Sequence, residues 1–176
     1  TVKCWGWNHN GEVGDGTTTQ RTTPVEVSGI TTATSVALCD FHMCALLTDG
    51  TVKCWGWNSM GDLGDGTTTD RTTPVEVLGI TTATSIAIGM HHSCALLTDG
   101  TMKCWGSNMF GELGDGTTTQ RTSPVEVSGI TTATSIAIGR HHSCAMLTDG
   151  TMKCWGWNNM GQLGDGTTTQ RTTPVE

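Results

Sequence analysis

The chain repeats itself every fifty residues without insertion, and no other feature restricts its fold as much. Residues 51–100 and 101–150 differ at ten positions, and residues 1–50 and 151–176 follow the same frame. Self-similarity at this period means stacked supersecondary units, none of which can bury its apolar surface alone. The unit is therefore the object to read first.

Within one unit, Thr84–Gly89 and His92–Leu97 are short, mostly apolar runs ended by glycine or a turn signal, which suits two inner strands, A and B. After Asp99-Gly100 comes strand C, Met102–Gly106, then a long Gly/Thr-rich stretch, then the brief Pro124–Val127 as strand D. Proline beside an exposed glutamate suits an outer edge strand. No stretch of ten residues carries helical periodicity. Four antiparallel strands in about fifty residues make one blade of an all-β propeller.

The run Gly89-x-x-His92-Ser93-Cys94-Ala95-Leu96, then Asp99-Gly100, then Lys103-Cys104-Trp105-Gly106-x-Asn108-x-x-Gly111-Glu112-Leu113-Gly114-Asp115-Gly116 resembles the regulator of chromosome condensation repeat in its cysteine-containing bacterial form. The resemblance covers the whole chain. It implies a propeller, usually of seven blades, with the four strands numbered outward from the axis. Divided on this frame, residues 1–29 make half a blade (strands C and D), and 30–79, 80–129 and 130–176 make three further blades. Three and a half repeats do not close a seven-bladed ring, so closure would need additional repeats or another chain, the first being the favoured expectation.

The cysteines fall in the same frame. Cys44 and Cys54, Cys94 and Cys104, and Cys144 and Cys154 flank a Thr-Asp-Gly signal, one on strand B and one on strand C. A three-residue loop with left-handed glycine would set each pair opposite, within disulfide reach, whereas a two-residue Asp-Gly loop would offset the partners by one. Structural disulfides are the favoured reading, and three of them suit an extracellular or cell-surface protein. A metal site built from His92, Cys94 and Cys104 is the alternative, but zinc ligands usually arrive in tighter pairs. No metal or cofactor is expected. Cys4 has no strand B partner in the frame, and Cys39 replaces the glycine seen at Gly89 and Gly139, so Cys39 is read as a buried free thiol or a bond to Cys4 or another molecule.

Composition narrows the function. With 9 Lys plus Arg against 16 Asp plus Glu and a formal charge of -7, the chain has little with which to neutralise phosphates, which argues against nucleic acid. No apolar run of about 18 residues is present to insert in a membrane. The acids of Glu12-Val13-Gly14-Asp15-Gly16 and its copies lack the dense oxygen array of a calcium loop and read as turns. His42, His92 and His142 recur at one position and read as rings hydrogen-bonded between blades, as the resemblance also implies. Trp5, Trp55, Trp105 and Trp155 read as packing between blades. No nucleophile, base and orienting group share a local context, so an enzyme is not expected.

Comparison among the internal copies then points to a face. The B–C loop and the Gly-Ile-Thr-Thr-Ala-Thr-Ser stretch between D and A hardly change, while differences gather at Trp57, at His9 and Met109, at Asn10, Met60, Phe110 and Met160, at Asp40, Met90 and Arg140, and at Phe41, His91 and His141. In an antiparallel A-B-C-D blade the A–B and C–D loops emerge on one side. The residues that differ there include aromatic side chains, Met and Arg, which are enriched in protein interfaces. The expectation is a protein partner or self-association at the A–B/C–D face. A structural segment of a larger extracellular or filamentous assembly is the alternative.

Overall fold

A computed structural model describes all of residues 1–176, and every element in it is a β-strand. Strands β1 (Lys3–Gly6) and β2 (Arg21–Glu26) form a two-stranded sheet. Three four-stranded antiparallel sheets follow. The first is β3 (Ala33–Leu38), β4 (His42–Leu47), β5 (Val52–Gly56) and β6 (Arg71–Glu76). The second is β7 (Ala83–Ile88), β8 (His92–Leu97), β9 (Met102–Gly106) and β10 (Arg121–Glu126). The third is β11 (Ala133–Ile138), β12 (His142–Leu147), β13 (Met152–Gly156) and β14 (Arg171–Val175). These are about three and a half propeller blades with strands paired in chain order. No helix is long and apolar enough to cross a membrane.

The outer strand begins three residues earlier than the proline suggested. Gly56 pairs with Arg71 and Cys54 with Val75, so the register slips between them and Pro74 sits in the irregular stretch. A residue with no N–H to donate is tolerated there, on an edge strand at a bulge.

The hairpin between β4 and β5 uses the three-residue loop. The Leu47 N–H donates to Thr51 O at 2.9 Å, and Gly50 takes a φ of 78°. That puts Cys44 directly opposite Cys54, with Cα atoms 4.1 Å apart, and the two are bonded; Cys94–Cys104 and Cys144–Cys154 repeat the arrangement. The metal alternative thereby fails, since Cys94 and Cys104 are spent on each other and His92 bonds Ser143 instead. Cys4 and Cys39 are free thiols, and Cys39 is half-buried rather than buried.

The apolar core lies between blades. One cluster joins Cys44, Leu46, Val52 and Cys54 to Ala95, Leu97 and Trp105 of the next blade, and the next cluster repeats it fifty residues on. Trp55, Trp105 and Trp155 are fully buried, their Nε1–H groups donating to the backbone oxygens of Glu12, Asp62 and Glu112 in the preceding repeat. A Cβ at Gly64 would lie 2.8 Å from the Trp105 Nε1, so glycine is required where the indole crosses. Trp5 is 62% exposed, there being no preceding repeat in this chain for its indole to cross.

Candidate protein-interaction face

Backbone bonds sort the loops onto two sides. Trp57, Ser107 and Trp157, each just past strand C, donate N–H to the carbonyls of Phe41, His91 and His141 in the A–B loops. On the other side Thr48 donates to Thr32 O and Ala83 to Gly50 O, tying B–C loops to D–A connections. That second side carries two equivalent depressions of ≈ 490 Å³ lined mainly by threonine, around Thr48, Thr82 and Thr84 and again around Thr98, Thr132 and Thr134.

Each long C–D loop is held rigid from within its own blade. The Asn58 side chain donates to the carbonyls of Thr67 and Thr69 and accepts from the Leu63 N–H, and Asp65 binds Thr67 and Arg71. The other copies make the same Asp–Arg bridge at 2.6–2.8 Å. The acid of Gly-Asp-Gly is therefore engaged by side chains of its own loop.

On this scaffold the candidate residues gather across blade boundaries. Phe41, Trp57 and His91 form one aromatic cluster with ring centroids 4.6–5.2 Å apart. Phe110, His141 and Trp157 form a second at 5.3–6.1 Å. Beneath the first, His91 Nδ1 lies 3.6 Å from Asp62 Oδ1, and both atoms are buried without a hydrogen-bond partner. Beneath the second, His141 Nδ1 lies 3.8 Å from Glu112 Oε1. Burial raises the Glu112 carboxyl above its ordinary range. The His141 imidazole is held below its ordinary range by burial and then by the neighbouring Arg140 charge.

Nearer the inner strands, the three A–B loops meet around an open depression of ≈ 470 Å³ lined by Asp40, Phe41, Ile88, Met90, Ile138 and Arg140, with Cys39, Gly89 and Gly139 completing it. Cys39 Sγ lies 3.3 Å from His42 Nδ1, and His42 Nε2 lies 2.8 Å from Ser93 Oγ. The Ser93 hydroxyl donates to Asp62 O, so His42 donates from Nε2 and leaves Nδ1 to accept from the thiol. Burial raises the Cys39 thiol, which keeps it a proton donor rather than a nucleophile. His92 and Ser143 repeat the bond between blades, so the expectation holds for His42 and His92, while the His142 ring makes no such bond.

Not every candidate joins these groups. His9 packs against Trp7 with ring centroids 4.2 Å apart and planes tilted by 59°, and joins neither cluster. Asn10 is tied to Glu12, and Met60 donates its N–H to Asp62. Met109 and Met160 are 67% and 81% exposed. Trp157 and the acids Asp62 and Glu112 were not among the candidates. Trp157 shares the repeat position of Trp57 and Ser107, and the acids lie in the glycine-rich stretch whose copies read as turns.

The regulator of chromosome condensation (RCC1) repeat model matches residues 2–46, 49–96, 99–146 and 149–176, and a second model of the repeat matches 33–62, 83–112 and 133–162. The chain belongs to the RCC1 repeat family. No curated protein matches it. Among solved structures, human WBSCR16 superposes with a TM-score of 0.87 at 23% identity, covering 99% of this chain and 47% of that one. Yeast RCC1 (Prp20), solved bound to Kap60, gives 0.84 at 23% identity over 99% of this chain and 44% of its own. The ectodomain of the Physcomitrella patens receptor kinase CR4 gives 0.51 at 26% identity over 77% and 33%. The first two likenesses show that the RCC1 fold is shared, and this chain spans less than half the length of either protein.

Proposed function

We propose that this RCC1-repeat chain is a non-enzymatic binding module outside the cell or on its surface, engaging a protein partner through the A–B/C–D face. The observation that carries the reading is the convergence of large, repeat-specific side chains on that face: two aromatic clusters and the depression beside them, against a threonine-lined opposite side. Clustered aromatic and arginine anchors are what a binding hot spot needs. One solved RCC1 relative, yeast Prp20, supports partner binding in general, being solved bound to Kap60 in one structure and described with its binding to Gsp1p and histones in a second. The low Lys plus Arg content remains a compositional argument against nucleic acid, which these relatives do not support. Three disulfides and the CR4 ectodomain likeness support the extracellular placement.

The test is a partner isolated with the folded chain and titrated against Phe41→Ala, Trp57→Ala and Phe110→Ala, with Thr98→Ala and Thr132→Ala as opposite-face controls. The reading expects at least tenfold weakening in the first group only; equal effects in both groups overturn it. The second reading, a structural segment of a larger assembly, draws on the near-identity of the repeats, which suits many like blades in one array. It expects self-association and no other partner.

A further inference from the structure

We propose that the depression between the A–B loops is a two-charge receptor, whose occupant is an extended segment of a protein partner carrying an acidic side chain for Arg140, a basic side chain for Asp40 and an apolar side chain between them. The proposal rests on the face assignment above and gives it a chemistry.

Four of the five arginines are committed. Arg21, Arg71, Arg121 and Arg171 each bridge an aspartate of their own loop at 2.6–2.8 Å. Arg140 has no carboxylate partner. Its Nε–H meets the Met90 thioether at 3.0 Å, which fixes the side chain against the neighbouring loop and leaves both terminal nitrogens for a ligand. A guanidinium presented this way is suited to a planar, bidentate carboxylate.

Asp40 occupies the same repeat position two blades earlier. It too is exposed and accepts no hydrogen bond or ion pair from the protein. The two charges line one depression without bridging each other, and Ile88, Ile138, Phe41 and Met90 share its wall. The position reads Asp, Met, Arg through three blades that are otherwise nearly identical, so one ring of the fold presents minus, neutral and plus in order. An unpaired cation and an unpaired anion on an apolar wall complement a ligand of opposite polarity, and a mispaired one is repelled at both ends.

The experiment pans a random dodecapeptide phage library on the folded chain and measures the recovered peptides by fluorescence polarisation. The expected peptides carry at least one acid and one base around an apolar residue. They weaken tenfold or more with Arg140→Ala and with Asp40→Ala. The double exchange Asp40→Arg with Arg140→Asp is expected to lose these peptides and bind versions with acid and base interchanged. Both positions are exposed loop residues, and unchanged near-ultraviolet circular dichroism confirms the fold of each variant.

Peptides that weaken with Phe41→Ala and Trp57→Ala but ignore Asp40, Arg140 and the exchange overturn the receptor and leave the face reading standing. Peptides sensitive only to Thr98→Ala or Thr132→Ala, or recovery of none, count against both. Full displacement by millimolar free glutamate or lysine assigns the pocket to small amino acids and overturns the partner-segment claim.

Discussion

The same residue has two fates in this molecule, depending on whether a blade lies beside it. Trp55, Trp105 and Trp155 are at most 1% exposed, while Trp5, in the same position of the repeat, is 62% exposed. Leu46 and Leu96 are each 5% exposed, and Met146 is 41%. Val52 and Met102 are at 0%, and Met152 at 55%. Strand pairing is the same in each four-stranded sheet, so the blade's internal structure does not bury Leu46, Leu96, Val52 or Met102 where Met146 and Met152 stay exposed. Trp5, in the two-stranded sheet, lacks its own strands A and B as well as a neighbour. The core of this fold is a property of boundaries, and each blade contributes one wall to two of them. Stability in such an array is a sum of unit terms and neighbour terms, with the apolar contribution in the second.

The largest expected effect breaks that comparison directly. Trp105→Ala removes a buried indole and its bond to Asp62 O, and should cost about 3–5 kcal/mol in urea denaturation. Trp5→Ala should cost within roughly 0.5 kcal/mol, the range of surface substitutions. Equal costs at the two sites would show that the boundary is not the source of stability.

Acid gives the next effect. Burial pushes His42 down to about 4 and His92 down to about 3. Their neutral forms are therefore the ones the fold favours. The contribution is complete above the unfolded value near 6.5 and is lost as pH falls toward these folded values. Each should remove roughly 2 kcal/mol on going from pH 7 to pH 5, because one unit is about 1.4 kcal/mol. His92→Gln should flatten the dependence of the urea midpoint on pH, and an unchanged slope would contradict the burial argument.

The disulfides follow. Cys94→Ala with Cys104→Ala opens a short loop, for which roughly 2–3 kcal/mol is expected, measured as a loss in urea midpoint against the oxidised parent. This bridge lies inside one blade but faces the next, so its loss also thins the boundary with Ala145 and Trp155. A loss no larger than that of Trp5→Ala would mean that the boundary alone holds the hairpin.

The same division between blade and boundary decides what the sequence could tell. The blade was legible because its signals are local: Thr-Asp-Gly set the hairpin register that pairs Cys44 with Cys54, and the strands B and C have the bounds that the apolar runs suggested. Strand D was misplaced because Pro124 looks like a start, although pairing resumes at Arg121 beyond the irregularity. The candidate face was only half legible. Phe41 and His91 both stood out as repeat-specific, but nothing local says that they touch across a boundary, or that Asp62 lies under His91. Trp157 occupies the position that Trp57 and Ser107 mark as variable, so it was as legible as Trp57. Pairings between repeats carry no signature within one repeat, and that is where this fold puts its chemistry.

The smallest effect serves as the control for the whole comparison. The Asp15–Arg21, Asp65–Arg71 and Asp115–Arg121 bridges each tie a C–D loop to the start of its own strand D, and the neighbouring glycines Gly16, Gly66 and Gly116 each donate to a threonine carbonyl of the next blade. Burial would raise the Asp115 carboxyl, but Thr117 and Arg121 hold it below the usual carboxylate range. The arginine is about a third exposed, so solvent screens the pair, and Asp115→Asn should cost roughly 0.5–1 kcal/mol. Asp15→Asn and Asp65→Asn should match it within about 0.5 kcal/mol, because all three loops have the same internal partners and the same neighbour. Urea midpoints of the three variants make the measurement. Agreement would leave neighbour contacts as the cause of the gap between Trp5 and Trp105, and a steep gradient along the chain would instead place a difference within the blades themselves.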